Sequence, residues 1–354
     1  MVEQNYTPIV TALLSRRSVF LGGTSLVLAV NATPSRAAKI QIDEPTPPTS
    51  VDQPIRTFLG HTKAPVGGNK HDVTCLAFTP DGAKALSGSS DYTLKLWDIA
   101  TGNELRTFNG HTASVESVVI TPDGRSALSG GSDRTMKLWD LETGAAIRSF
   151  ETGTRTPQYI AITKDLKVVS LEIGIGDIAL KIWDRKSNQV SRIDMDSYVW
   201  TAAIAPDGRG MLCFHDDKTL RLWDLTTGSV VRKIKTDQRE NACLAFAPDG
   251  RTAVSSGLDN VLRTWDLAGE GTNRTFAGHN DAVLSVAVNS SGRSVVSGSS
   301  DKTIKLWDLA TGKLITTFGG NVNGVTRVVI APDGHTVLSG FDTGYMKLWA
   351  LENS

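Results

Sequence analysis

The chain has 354 residues, with 37 lysines and arginines against 37 aspartates and glutamates, so it carries no formal net charge. A balanced charge gives no electrostatic case for a nucleic-acid or anionic-membrane partner. Three cysteines, Cys75, Cys213 and Cys243, with no C-x-x-C pair, exclude a disulfide framework, a zinc ribbon and a thioredoxin-type redox centre.

The first 37 residues differ in kind from the rest. Arg16-Arg17 precedes an apolar run, Val19 to Val30, that is too short to span a membrane but suits the core of a signal peptide. Ser35 and Ala37 supply small residues ahead of a cleavage point after Ala37. The segment resembles a twin-arginine export signal, which predicts an exported, periplasmic protein with no integral membrane span in the mature chain. Cleavage would remove three arginines (Arg16, Arg17, Arg36) and one glutamate (Glu3), leaving the remainder weakly acidic. Residues 38–53 carry Pro45, Pro47 and Pro48 with no apolar period, as a linker does.

From residue 54 onward the sequence repeats. The turn Thr79-Pro80-Asp81-Gly82 returns at Thr121, Thr163, Ala205, Ala247, Asn289 and Ala331, every 42 residues. Tryptophans 97, 139, 183, 223, 265, 307 and 349 form a second ladder of nearly the same period. Two independent markers therefore count seven units.

The second unit shows what each contains. Ser114–Ile120 is an apolar strand, and Pro122-Asp123-Gly124 is a turn by its chemistry. Arg125–Ser129 is the next strand, followed by a turn at Gly130–Asp133. Thr135–Leu141 and Ala145–Phe150 complete four strands, separated by Thr143-Gly144. Short strands with turns every 8–12 residues exclude helical and βαβ repeats. One such sheet cannot bury both faces, but seven arranged radially can. The predicted fold is therefore all-β: a seven-bladed propeller of four-stranded antiparallel blades over residues 54–351. The last unit stops after its third strand. Ile55-Arg56-Thr57-Phe58 reads like the outer strand Leu105-Arg106-Thr107-Phe108, so residues 54–59 are expected to close the ring.

Gly-His at Gly60-His61, Gly110-His111 and Gly278-His279, and Trp-Asp from Trp97-Asp98 to Trp307-Asp308, resemble the WD-repeat β-propeller family. The resemblance implies that His111, Asp133, Ser129 and Trp139 form a buried hydrogen-bond network, repeated by His279, Asp301, Ser297 and Trp307. His61, Asp91, Ser87 and Trp97 would repeat it in blade one. A triad that recurs is architecture, since chemistry needs one site. The histidine column lapses at Gly153, Met195, Asp237 and Asn321, so those blades are expected to rely on packing. The basic residue two before each tryptophan also recurs and is not read as an anion ring. His215, Asp216 and Asp217 alternate faces along a strand, which argues against a shared metal ion. Cys75, Cys213 and Cys243 are expected as buried free thiols. No catalytic residue, metal or cofactor is assigned.

Propellers of this family mostly bind proteins or peptides on the face where first strands begin. The positions flanking each first strand's leading residue, and those before each turn acid, give the candidates: Trp200, Tyr198, Gln158, Glu240, Glu116, Leu258, Leu284 and Phe341. Trp200 is the only tryptophan outside the repeat column, and aromatic residues dominate binding hot spots. The expectation is a monomeric, non-catalytic scaffold of the bacterial envelope for a protein or peptide partner, without nucleic acid. The rival reading is a propeller enzyme, or a small-ligand or glycan binder, using the central channel. Insertions at Lys63–Lys70 and near Ile173–Gly176 fall on the same face.

Overall fold

The computed structural model describes residues 53–61, 71–163, 165–174, 177–184, 189–237, 241–269, 271, 273–319 and 321–351. These form seven four-stranded antiparallel sheets and no helix. Each blade runs from an inner first strand to an outer fourth strand. The inner strands are Val73–Phe78, Val115–Ile120, Thr156–Ile162, Val199–Ile204, Asn241–Phe246, Val283–Val288 and Val325–Ile330.

Turn chemistry sets the blade. Between first and second strands, Gly82, Gly124, Gly208, Gly250, Gly292 and Gly334 all have φ between 67° and 77°, the left-handed conformation that glycine tolerates. Blade three puts Leu166 there at φ 66°. Thr79 and Thr121 bind the same turns, accepting from the N–H of Lys84 and Ser126.

The hydrophobic core lies between sheets. Leu86, Leu94, Leu96 and Phe108 of blade one pack against Val115, Val118, Ala127 and Trp139 of blade two. An outer-strand phenylalanine meets the next blade's tryptophan: Phe108 on Trp139 at 5.7 Å between centroids, Phe318 on Trp349 at 5.7 Å, and Phe58 on Trp97 at 5.8 Å. Polar bonds add to this seam. Ile160 N–H donates to Ser117 Oγ (3.0 Å), Ile204 N–H to the Tyr159 hydroxyl (2.9 Å), and Val328 N–H to Ser285 Oγ (3.1 Å).

The ring closes as the sequence predicts. Arg56–Leu59 pairs antiparallel with Tyr345–Ala350, Arg56 opposite Leu348 and Leu59 opposite Tyr345. Phe58 is fully buried. The same segment then delivers His61 to blade one, so it finishes the last blade and begins the first.

The implied network is present in blades one, two and six. His Nδ1 lies 2.9, 2.8 and 2.7 Å from Asp91, Asp133 and Asp301, and His Nε2 lies 2.7 Å from Ser87, Ser129 and Ser297. The indole N–H of Trp97, Trp139 and Trp307 donates to the same serine at 2.9, 2.7 and 2.8 Å. Burial opposes the charge on Asp133, but the His111 hydrogen bond and the Thr112 N–H outweigh it, and its pKa falls well below the usual carboxylate range.

In blades three and four the expected reliance on packing needs correction, because a second-strand side chain makes polar contacts where the histidine is missing. The second-strand position that holds Gly131 in blade two carries Glu172, His215 and Phe341 in blades three, four and seven. Glu172 is buried and pairs with Lys181 at 2.8 Å. His215 is buried with Nδ1 2.7 Å from Ser197 Oγ. Blades five and seven keep the indole–serine bond, Trp265 to Ser255 and Trp349 to Ser339, both at 2.9 Å.

Candidate binding site at the channel mouth

Each inner strand carries one β-bulge, just after its leading residue in six blades and after Pro157, the second residue, in blade three. The pairing slips between Val73 and Cys75, between Val115 and Ser117, between Val199 and Thr201, and at the matching place in the other four blades. A bulge leaves one residue outside the ladder and re-aims its side chain. The bulged residues in these three blades are Thr74, Glu116 and Trp200. Thr74 and Thr326 turn inward, their hydroxyls donating to the carbonyls of Gly88 and Val115 and of Gly340 and Val73. Gln158 and Trp200 turn outward and are exposed.

Glu116, Gln158 and Trp200 border a cavity of about 190 Å³ where the seven inner strands converge. Its lining includes Glu116, Gln158, Trp200 and Arg327, with Cys75, Cys243 and Ser285 between them. Trp200 is 42% exposed, and Tyr198 meets it edge-on at 5.1 Å between centroids. Tyr198 is half-buried against the core between blades three and four. Glu116 is half-exposed, and its Oε1 accepts from Ser132 Oγ at 2.6 Å. Burial pushes the Cys75 thiol up to about 12, and the Cys243 thiol also upward, so both are neutral.

Of the residues predicted to face a partner, the structure gathers Trp200, Gln158 and Glu116 on one cavity, with Tyr198 alongside. Leu258 is exposed and Leu284 half-buried, but neither lines the cavity. Glu240 and the Lys63–Lys70 insertion lie outside the described residues, as do Ile175 and Gly176. Phe341 is a correction. It is fully buried, stacks on Tyr345 at 5.0 Å and belongs to blade seven's core. It precedes Asp342, an acid that stands one place early in the repeat, so Phe341 is the last residue of a second strand rather than a turn residue.

Sequence reasoning missed Arg327, the third residue of its inner strand. In that column the other blades carry Cys75, Ser117, Tyr159, Thr201, Cys243 and Ser285, so Arg327 was visible as its single charge.

The other singled-out groups have structural partners. Lys95 donates to Glu104 and Thr107, Lys305 to Thr317, and Arg263 to Asp259. Lys347 donates to Asn321 Oδ1 and lies over the Trp349 ring. His215, Asp216 and Asp217 diverge: the first is buried, the second exposed, and the third pairs with Arg221 and Lys233. Cys75 and Cys213 are buried, whereas Cys243 is partly exposed. Among the described residues no helix is long and apolar enough to cross a membrane.

Residues 72–350 match the family model described as the IFT122 first beta-propeller. Nuclear distribution protein PAC1-2 of Uncinocarpus reesii is 26% identical over 215 residues, covering 52% of this chain and 45% of that protein. Nuclear distribution protein PAC1 of Arthroderma otae is 27% identical over 216 residues, with the same coverage of both. The U3 small nucleolar RNA-associated protein 15 homolog of Xenopus tropicalis is 43% identical over 58 residues, 16% of this chain and 10% of that protein. The matches to the two fungal proteins span less than half of either one's length.

Proposed function

The chain belongs to the WD-repeat β-propellers, in the family described as the IFT122 first beta-propeller, and from that premise we propose that it is a non-catalytic scaffold for a protein or peptide partner. The partner docks where the inner strands begin, and Trp200 is its anchor. One observation carries this reading: a tryptophan outside the repeat column lies 42% exposed on the cavity at the ring's centre. Interface hot spots are enriched in tryptophan, with polar residues around them. Gln158 and Glu116 supply that rim here.

The test is capture of partners by the mature chain from its own envelope fraction, with Trp200→Ala alongside. The variant is expected to lose capture by roughly 30- to 1,000-fold in affinity, the effect of truncating a hot spot worth about 2–4 kcal/mol. Its melting temperature should stay within about a degree. Retained capture, or a large fall in melting temperature, would show Trp200 to be structural.

A small-ligand or glycan reading gains from the aromatic ring and the acid at the channel. The cavity weighs against it: about 190 Å³, below the roughly 300–1,000 Å³ of small-molecule sites.

The site of action we propose is extracytoplasmic, a bacterial periplasm. Arg16-Arg17 ahead of the Val19–Val30 run supports export by a twin-arginine route. Replacing both arginines with lysine should then hold the protein in the cytoplasm, and unchanged export would remove that route.

A further inference from the structure

We infer that the channel mouth reads one acidic side chain of an extended partner segment, with Arg327 as its receptor and Trp200 as the wall beside it. The inference rests on the docking face proposed above, and deepens it by naming what the partner presents.

Arg327 is the single basic residue on the seven inner strands. On the third strands, Lys95, Lys181, Arg221 and Arg263 each reach a carboxylate within their own blade, and Lys137, Lys305 and Lys347 reach the side chains of Ser149, Thr317 and Asn321. Arg327 has no ion pair among the described residues. Its Nη1 donates to the carbonyl of Thr326, its own neighbour, at 2.8 Å. A guanidinium has five N–H donors in a fixed fork that matches a carboxylate. Here one of those donors is taken by the Thr326 carbonyl, and the residue lines the cavity.

No carboxylate among the described residues forms an ion pair with Arg327. Cys75 and Cys243 on the same lining are neutral thiols, and Ser285 is already an acceptor for Val328 N–H. Glu116 is the acid of the lining, but Ser132 holds it and it does not pair with Arg327 within 4 Å. A half-buried cation without a partner is costly, and an incoming carboxylate relieves that cost with a charge-assisted, bidentate bond. The cavity is too small for a drug-sized ligand and suits one side chain presented from outside.

The experiment selects a displayed library of unstructured peptides on the full chain, then measures soluble peptides with amidated C-termini by calorimetry. Enriched peptides should share one aspartate or glutamate. Changing it to asparagine or glutamine should weaken binding at least 10-fold. Arg327→Met should weaken the acidic peptide by a similar factor while leaving the amide peptide unchanged, and Arg327→Lys should restore part of the loss. An enriched lysine or arginine at that position would overturn the inference and make Glu116 the reader. So would equal losses for both peptides with Arg327→Met, or binding that requires a free C-terminal carboxylate. If Trp200→Ala abolishes binding but no acidic preference exists, the inference fails and the docking face stands. If neither Trp200→Ala nor Arg327→Met matters, or nothing is enriched, both fail.

Discussion

His215 lies 6.3 Å from Trp223, ring centroid to ring centroid. His61, His111 and His279 lie 6.4, 6.1 and 5.9 Å from their own tryptophans. The three reach that place from the connection that enters the blade, whereas His215 reaches it from the blade's second strand. The two sources exclude each other. At the same column in blade two, a Cβ on Gly131 would sit 2.5 Å from His111 Nδ1. Blades one and six keep a small residue there, Ser89 and Ser299, whose hydroxyls accept from the N–H of Asp91 and Asp301.

Blade four has the histidine but not the serine. Cys213 occupies the column of Ser87 and Ser129, and the Nε1 of Trp223 and Nε2 of His215 are both buried without a hydrogen-bond partner. Cys213→Ser supplies the missing hydroxyl and should stabilise the fold by about 1 kcal/mol, the net value of a buried hydrogen bond. Denaturant unfolding measures it. A loss of stability would show that Oγ does not reach both rings.

Burial pushes the His215 pKa down to about 4, and the Arg221 charge adds to the effect. The unfolded histidine titrates near 6.5, so between those values the unfolded chain binds the extra proton. Stability should therefore fall as pH drops from about 6.5 to about 4. Burial also lowers His279, which contributes in the same direction. His215→Phe, imitating Phe341 of blade seven, should flatten part of that slope in melting temperature against pH. The carboxylates Asp91, Asp133 and Asp301, all lowered, act below this window and leave a separate acid limb.

Phe58→Ala should cost about 3–5 kcal/mol, because the ring is fully buried on Trp97 at the closing seam. Ile55→Ala, three residues earlier and 37% exposed, should cost under about 1 kcal/mol. Equal effects in chemical denaturation would mean that the closing strand contributes through its backbone alone.

Gly344→Ala should destabilise by about 1–3 kcal/mol. Gly344 has φ 80°, and a Cβ there would stand 2.7 Å from the His71 carbonyl oxygen and 2.8 Å from that of His61. Lys302→Gly, at the matching turn of blade six with φ 71°, should be neutral or mildly stabilising. The pair measured together separates backbone strain from the crowding at the seam.

The blades, their number and the closing strand were legible because turn chemistry and tryptophan repeat at nearly one spacing. Trp200 was legible as the tryptophan outside the repeat column, and Gln158 through its register beside it. Phe341 and His215 were not, because a side chain that fills the same space from a different strand leaves its column without a mark. Arg327 escaped for a different reason, although it is the single charge of its column. Strict alternation puts residues two apart on one face. The bulge near the start of each inner strand breaks that rule, bringing second and third residues such as Trp200 and Arg327 to one cavity.

Residue 56 pairs with residue 348, so the final sheet must wait for nearly the whole chain. Until the last blade exists, its outer partner is a loose tail and its own edge is open to any strand that arrives. A second copy carries the same tail. At high concentration during refolding, exchange of residues 56–59 between chains is then the natural competitor of closure, and dilution favours the single ring.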